Sequence, residues 1–376
     1  MAKKKVLIAA TVYTHLANFH IPTIKLLQEK GYEVHAASNN NEGRKNEIES
    51  LGVICHDIKF VRAPFKKHNI IAMKQISSLF KEFYFDLIHV HTPIASFIVR
   101  YIAKKYNQGP VLYTAHGFHF YKGSPLLNWL LYYPAERIAK RWTDALIVIN
   151  TEDFNRGIKM GFIANKNLFK TNGVGVDLKV FTKGDDRKSN FRREINIPDP
   201  SIVITCVAEF TKNKNQQLLL KAWPTLINEF NNIHLVFVGD GKRKITLEKL
   251  ASRKNLKNVY FLGFRHDIPE ILMHSNIVSL VSKREGMPKT IMEGMAIGLP
   301  AIVSDVRGSR DLVNHKENGL IVKCDQVNNL IENLKVLIEQ EEVRKEMGDN
   351  ALKKVTQYSN ENVLKELNQV YESFFI

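Results

Sequence analysis

The stretch DLIHVHTPIASFIVRYIAKKYNQGPVLYT, from Asp86 to Thr114, decides the fold class. Asp86–His91 reads as a strand, Ala95–Tyr106 as a helix and Val111–Thr114 as the next strand. A strand, a crossover helix and a second strand form a βαβ unit, which calls for parallel pairing. The pattern extends outward. Before it come strands at Val6–Ala10, Tyr32–Ser38 and Val53–Ile58, with helices at Ile21–Lys30, Glu47–Leu51 and Ile70–Glu82. After it come a long helix, Leu126–Trp142, and a strand, Ala145–Asn150. The residues Thr11–His20 are expected as a loop.

The second half repeats the pattern. Strands are expected at Ile202–Val207, His234–Val238, Val259–Leu262, Val278–Val281, Ala301–Val303 and Gly319–Val322. Helices fall at Gln216–Phe230, Thr246–Lys254, Ile268–His274 and Thr290–Ile297, and residues from Val327 onward are largely helical. The polar stretch Phe181–Pro200 is the expected linker. The expectation is an α/β protein of two doubly wound Rossmann-like domains: residues 1–185, residues 186–360, and a C-terminal helix, 361–376, crossing back to the first domain.

The chain has 376 residues, long enough for two domains, and 44% of them are hydrophobic, an ordinary globular composition. Its apolar runs are far shorter than the ~20 residues of a membrane span. Cys55, Cys206 and Cys324 are too scattered for a disulfide framework or a zinc site. A reducing cytoplasm is the expected compartment. The formal charge is +16, and 13 of those charges lie in residues 1–190. Such asymmetry points to an anionic partner of the first half: nucleic acid, acidic lipid or a phosphorylated substrate.

The sharpest local feature is Ser282-Lys283-Arg284-Glu285-Gly286-Met287-Pro288-Lys289-Thr290-Ile291-Met292-Glu293-Gly294. A strand end, a Gly/Pro turn and a helix start follow one another. The amides at the helix start and the Lys289 cation suit phosphate oxygens. Glu285 and Glu293 are carboxylates in the loop and the first helical turns, and the second could clamp a sugar diol. Lys214, Gly239 in a Gly-Asp-Gly turn, and Arg265 lie beyond three other strands. Four strand ends of one sheet thus carry glycines, cations and carboxylates, where ligands of such sheets bind.

With these motifs the chain resembles the family 4 glycosyltransferases, retaining enzymes of the two-domain GT-B type, in the branch that builds bacterial capsule and exopolysaccharide. The resemblance covers essentially the whole chain. It rests on Glu285-x7-Glu293 in the form Arg284-Glu285-Gly286-Met287-Pro288, on Gly298-Leu299-Pro300, on Asn172-Gly173-Val174-Gly175-Val176-Asp177, on His89-Val90-His91-Thr92-Pro93 and on Thr114-Ala115-His116-Gly117. It implies that the two domains face each other across a cleft. It also implies that Glu293 holds the ribose hydroxyls of a nucleotide and that Glu285 meets the donor sugar and matters for catalysis. The amides of Gly286, Met287, Pro288, Lys289 and Thr290 would mark the segment touching sugar and phosphates, although Pro288 itself carries no N–H. Lys214 would bind the diphosphate, Arg265 would flank the base, and His116 would approach the donor sugar.

One departure is chemical. Where the family usually has Gly-Arg-Leu, this chain has Ala208-Glu209-Phe210, so a diphosphate-binding cation is missing. Arg284 or Lys289 is expected to supply the charge, and Glu209 to point away or to pair with Lys212 or Lys214. No Asp-x-Asp motif occurs. The expectation is therefore catalysis without a metal or other cofactor, the diphosphate charge being met by cations and helix amides.

Nine of the 13 histidines fall in the first half, and His15, His20, His89, His91, His116 and His119 lie at or just past strand ends. A metal cluster is one reading, but no Cys, Asp or Glu accompanies them at ligand spacing. His15, His20 and His119, with a basic loop of Arg62, Lys66, Lys67 and His68 near Phe60 and Phe65, form the expected acceptor and membrane face. Phe118, Phe120 and Tyr121 are a loop aromatic run, open to two readings: contact with acceptor or lipid, or local packing. Trp129, Trp142 and Trp223 are expected in the core.

The expected activity is transfer of a sugar from a nucleotide diphosphate, UDP above all, to a polyprenyl-diphosphate-linked sugar at the inner face of the cell membrane. The partners would be that donor, that acceptor and an anionic membrane surface. The rivals are a nucleotide-sugar 2-epimerase on the same plan and a nucleic-acid-binding protein. The latter lacks any nucleic-acid motif, and its basic residues are scattered over βαβ elements.

Overall fold

The computed structural model describes residues 3–63, 66–181 and 191–375. The chain divides into two units, Met1–Val174 with Glu361–Ile376, and Gly175–Asn360. The polypeptide therefore passes between them twice. Of the expected linker, residues 182–190 lie outside the described residues, as does Phe65 of the basic loop.

The first unit is built on seven strands: β1 (Lys5–Val12), β2 (Glu33–Asn39), β3 (Ile54–Asp57), β4 (Leu87–His91), β5 (Val111–Ala115), β6 (Ala145–Val148) and β7 (Leu168–Lys170). They pair in the order β3-β2-β1-β4-β5-β6-β7, every pair parallel. All residues of β4, β5 and β6 are buried, as expected for a parallel sheet covered on both faces.

Along β1 the side chains alternate between two cores. Leu7 and Ala9 join Phe85, Val90 and Tyr113, under the helices Lys67–Glu82 and Pro93–Lys105. Val6, Ile8 and Ala10 join Tyr13, Leu16 and Ile24 on the other face. Leu367, Val370 and Tyr371, on the C-terminal helix Asn360–Glu372, close that second core.

The second unit repeats the plan with six strands: β8 (Ile202–Val207), β9 (Ile233–Val238), β10 (Val259–Phe261), β11 (Ile277–Leu280), β12 (Ala301–Ser304) and β13 (Gly319–Val322). Their order is β10-β9-β8-β11-β12-β13, again parallel. One face packs on the helices Gln217–Glu229 and Val327–Glu339, the other on Ile291, Met292 and Met295 of the helix Lys289–Ala296. Both sheets are doubly wound, reversing between β1 and β4 and between β8 and β11.

Two sequence expectations need correction. Thr11–His20 is not a loop: β1 runs on to Val12, and Tyr13–Phe19 is helical. Tyr13, Leu16 and Ala17 are buried at i, i+3 and i+4, a helical spacing that the polar neighbours obscured. Thr151–Lys159 is a helix that went unread; Asn150 is its cap, its side chain accepting from the Asp153 amide, rather than the end of a strand. Phe118 and Phe120 are buried and stack on each other at 4.8 Å, so of the two readings of that aromatic run local packing holds for them. Of the tryptophans, Trp223 is fully buried, while Trp129 and Trp142 are half-buried against the first unit.

The helix Leu126–Ala139 is unusual in turning little of its apolar surface inward; only Glu136 and Ala139 are buried. Glu136 anchors it through Arg100, whose Nη2 donates to the Glu136 carboxylate at 2.9 Å, with Arg100 1% exposed. Arg100 also lies over the Tyr113 ring at 4.2 Å. Removing one partner leaves a buried charge unpaired. Arg100→Met should therefore cost about 3 kcal/mol in urea unfolding, and adding Glu136→Leu should recover part of the loss. Equal stability of the single variant and the native chain would contradict this anchoring.

Candidate active site

In the second unit the chemistry gathers where the winding reverses, at the carboxyl ends of β8 and β11. The two loops there are tied by backbone and side chain. The Lys283 amide donates to the Asn213 carbonyl at 2.8 Å, and the Asn213 side-chain amide donates to the Arg284 carbonyl at 2.9 Å. Asn215 reaches the Val281 carbonyl at 3.2 Å. This stitching sets Lys214 Nζ 2.6 Å from Glu285 Oε1. Glu285 is buried, so its charge needs that cation.

The turn carrying Glu285 is held from behind by β12's following loop. Arg307, itself buried, donates to the Glu285 carbonyl at 3.2 Å. Gly308 has φ 72°, and a Cβ there would run into the Gly286 carbonyl. Gly286 and Met287 are half-buried, Pro288 is buried at the helix start, and Thr290 donates to the Val207 carbonyl at 3.2 Å. Glu293, one turn into the helix, has Lys289 Nζ 3.9 Å from its carboxylate. Burial raises the Glu293 pKa, and Lys289 opposes that rise. Gly239 occupies φ 133°, where a Cβ would meet the Ala208 carbonyl, and its amide donates to Gly263 at 2.7 Å. The ends of β8, β9 and β10 thus come close as bare backbone.

The remaining predicted cations differ in state. Arg265 is held by carboxylates of Asp267 and Glu194, at 2.6 and 2.7 Å, which raise its pKa. Arg284 and Lys289 are half-buried. Glu209 is exposed, and Lys214 pairs with Glu285 rather than with it.

In the first unit the corresponding reversal lies at the ends of β1 and β4. The Thr11 amide donates to Thr92 Oγ1 at 3.0 Å, and the two hydroxyls are 2.7 Å apart. Thr92 has φ 62° and ψ 138°, a strained setting for a β-branched residue, worth about 1–3 kcal/mol. Beside it four imidazoles converge. His15 Nε2 and His20 Nε2 are 3.3 Å apart, His91 Nδ1 and His116 Nε2 are 3.2 Å apart, and the His20 and His91 rings stack at 3.8 Å. Burial lowers the pKa of all four: His116 is pushed down to about 4, and His15, His20 and His91 well below the usual value, where neighbouring imidazoles add to the effect. His89 lies behind them in a structural role, bonded to Tyr371 and Thr114 at 2.7 Å each.

His119 is not part of this group; it stacks on Tyr132 at 4.6 Å. Arg62 is exposed and pairs with Glu42 at 3.0 Å. Lys66 and Lys67 border an apolar groove of about 510 Å³ between the helices Lys67–Glu82, Pro93–Lys105 and Leu126–Ala139. Phe60, expected in the loop, is buried.

Sequence reasoning missed Thr92, Arg307 and Gly308. The last two follow β12 in Asp305-Val306-Arg307-Gly308, a fifth strand end with a cation and a glycine. Extending the strand-end survey by one strand finds them; nothing in the sequence marks the Thr92 backbone.

Two family models match: "Glycosyl transferases group 1" over residues 187–354 and "Glycosyl transferase 4-like" over residues 5–150. The putative glycosyltransferase EpsD of Bacillus subtilis is 31% identical over 99% of this chain and 97% of its own length. The UDP-Gal:alpha-D-GlcNAc-diphosphoundecaprenol alpha-1,3-galactosyltransferase of Escherichia coli is 28% identical over 80% of this chain and 79% of its own. Among solved structures, HepE of Anabaena in complex with UDP and glucose superposes with a TM-score of 0.82 at 19% identity, covering 98% of this chain and 100% of that one. The chain belongs to the family 4 glycosyltransferases, and its two Rossmann-like units are the GT-B fold.

Two outcomes follow from the site geometry. Gly308→Ala should lower stability by about 2 kcal/mol in chemical denaturation, because both its φ and the Gly286 carbonyl oppose a side chain; a neutral effect would mean the turn yields freely. The second concerns pH. The unfolded chain protonates these histidines near pH 6.5, while the folded unit resists until about pH 4 at His116. Stability is then full above pH 6.5 and falls as pH drops toward 4. The melting temperature should fall between pH 7 and pH 5, and His116→Asn should flatten the slope. Equal slopes in the two proteins would contradict a neutral, buried His116.

Proposed function

We propose that this enzyme is a retaining transferase that moves a sugar from a UDP-linked donor to a polyprenyl-diphosphate-linked sugar at the inner face of the cell membrane, in capsule or exopolysaccharide assembly. The second unit takes the donor and the first the acceptor. One observation carries the acceptor half of this reading. Ile70, 58% exposed, lines the apolar groove that Lys66 and Lys67 border, and Leu126, Leu127 and Leu130, 62–72% exposed, lie on the helix that supplies Leu131 to it. Apolar side chains beside cations match a lipid surface with anionic headgroups. Two relatives support it: the Escherichia coli protein's name specifies a diphosphoundecaprenol acceptor, and so does that of a Campylobacter jejuni N-acetylgalactosaminyltransferase, 23% identical over 94% of this chain. Among the described residues no helix is long and apolar enough to cross a membrane.

The chemistry follows from charge. Leaving of the diphosphate builds negative charge on its oxygens and an oxocarbenium-like sugar. Lys214, with Arg284 or Lys289 in place of the missing arginine and the amides around Thr290, stabilises the oxygens without a metal ion. Lys214 is already bound to Glu285, so a diphosphate would share that ammonium and leave Glu285 turned to the sugar, which it orients. Glu293 accepts from the ribose hydroxyls. In a retaining transfer the acceptor hydroxyl attacks from the face the diphosphate leaves, and a leaving phosphate oxygen takes its proton. His116 approaches the donor sugar as a neutral imidazole.

Lys214→Ala should weaken UDP binding at least tenfold by calorimetry, while Arg284→Ala and Lys289→Ala identify the second cation; no loss in any of the three would overturn the donor site. The triple change Leu126→Gln, Leu127→Gln and Leu130→Gln, and separately Lys66→Glu with Lys67→Glu, should release the enzyme from anionic liposomes and leave UDP affinity intact. Release by neither would overturn the membrane face. Donor incubated alone should yield no epimer.

A further inference from the structure

The buried and half-buried histidines gathered in the first unit exceed what one catalytic imidazole requires. His15 comes from the helix Tyr13–Phe19, His20 from its end, His91 from the end of β4 and His116 from the loop after β5. Three separate segments therefore deliver four imidazoles to one point. One ring nitrogen from each of His15, His20 and His116 lies within 4.8 Å of the other two. Two separations are shorter still, 3.3 Å for His15–His20 and 3.2 Å for His91–His116. A tetrahedral zinc site with Zn–N of about 2.0–2.1 Å has N···N edges of about 3.3–3.4 Å. The cluster also carries an orphan: His91 Nε2 is buried without a hydrogen-bond partner.

We propose that His15, His20 and His116, with His91 beside them, bind a borderline transition-metal cation such as Zn²⁺ or Co²⁺. The donor set selects that class. Imidazole nitrogens suit zinc, cobalt, nickel and copper, whereas magnesium and calcium want oxygens. Neutral imidazoles present lone pairs at neutral pH without first losing protons, and burial keeps these four neutral. With no carboxylate in the cluster, the bound cation keeps its positive charge, and any open coordination position favours an anionic oxygen.

The site is distinct from the diphosphate contacts of the second unit and is no requirement of the transfer reaction. Its effect rests on the proposed role of His116: a cation holding that Nε2 removes it from the donor sugar, so metal binding inhibits. The direct test does not depend on that role. Tag-free full-length chain, stripped with a chelator, is titrated with Co²⁺ and followed by visible absorption. One equivalent per chain should produce the d–d bands of a low-coordinate nitrogen site, and Zn²⁺ should abolish them. His15→Asn and His116→Asn should each weaken cobalt binding about tenfold or more, while His119→Asn, outside the cluster, should not. Zn²⁺ should also raise the melting temperature of the native chain, a readout that needs no variant to fold. Absence of a saturable cobalt spectrum, no zinc-induced shift, or binding unchanged in both cluster variants would overturn the site. Zinc binding without loss of transfer would overturn the proposed role of His116 and leave the site standing.

Discussion

A parallel sheet wound first one way and then the other leaves the ends of its two central strands uncovered, because the right-handed crossovers depart in opposite directions. Here that constraint acts twice. At β8 and β11 it exposes the loops that bring Lys214 to Glu285; at β1 and β4 it exposes the loops that join Thr11 to Thr92 and gather four histidines. Everything else near these points serves to keep them open or fixed. Glycines at 239 and 308 let backbones approach where a side chain would collide, and Arg307 fastens the carbonyl of Glu285.

The two ends differ in electrostatic character. The second unit's end is ionic, with a buried carboxylate held by a lysine and a second carboxylate whose pKa burial raises. It is suited to a ligand that carries its own charge and can take over the lysine. The first unit's end is neutral although that half of the sequence holds most of the excess positive charge. The charge instead lies outside, with exposed Arg62, Lys66 and Lys67. Neutral interior and basic rim are therefore separate features of the first unit.

Much of this was legible in the sequence. Alternating apolar strands and helices are enough to name a doubly wound protein, because strand burial on both faces shows as unbroken runs such as Val6–Ala10. The Glu285/Glu293 pair and Lys214 were legible because glycines and charges punctuate strand ends. What escaped was either local or long-range. The helix Tyr13–Phe19 buries only three residues, too few to outweigh its polar ones. Phe118 and Phe120 look like loop aromatics until a stacked partner is seen. The Thr92 backbone and the pairing of Arg307 with a carbonyl depend on contacts between distant segments, which periodicity does not report. The histidine cluster lay between: its members were all visible, but their convergence was not, since they come from three segments distant in sequence.

Amide hydrogen exchange of the full chain with and without UDP is the most direct test of the proposed donor site at the reversal point of the second sheet. Protection should concentrate in residues 208–215, 239–241 and 282–293, the ends of β8, β9 and β11 and the helix start beyond. Protection confined to the opposite edges of the sheet, or none at saturating UDP, would contradict that site.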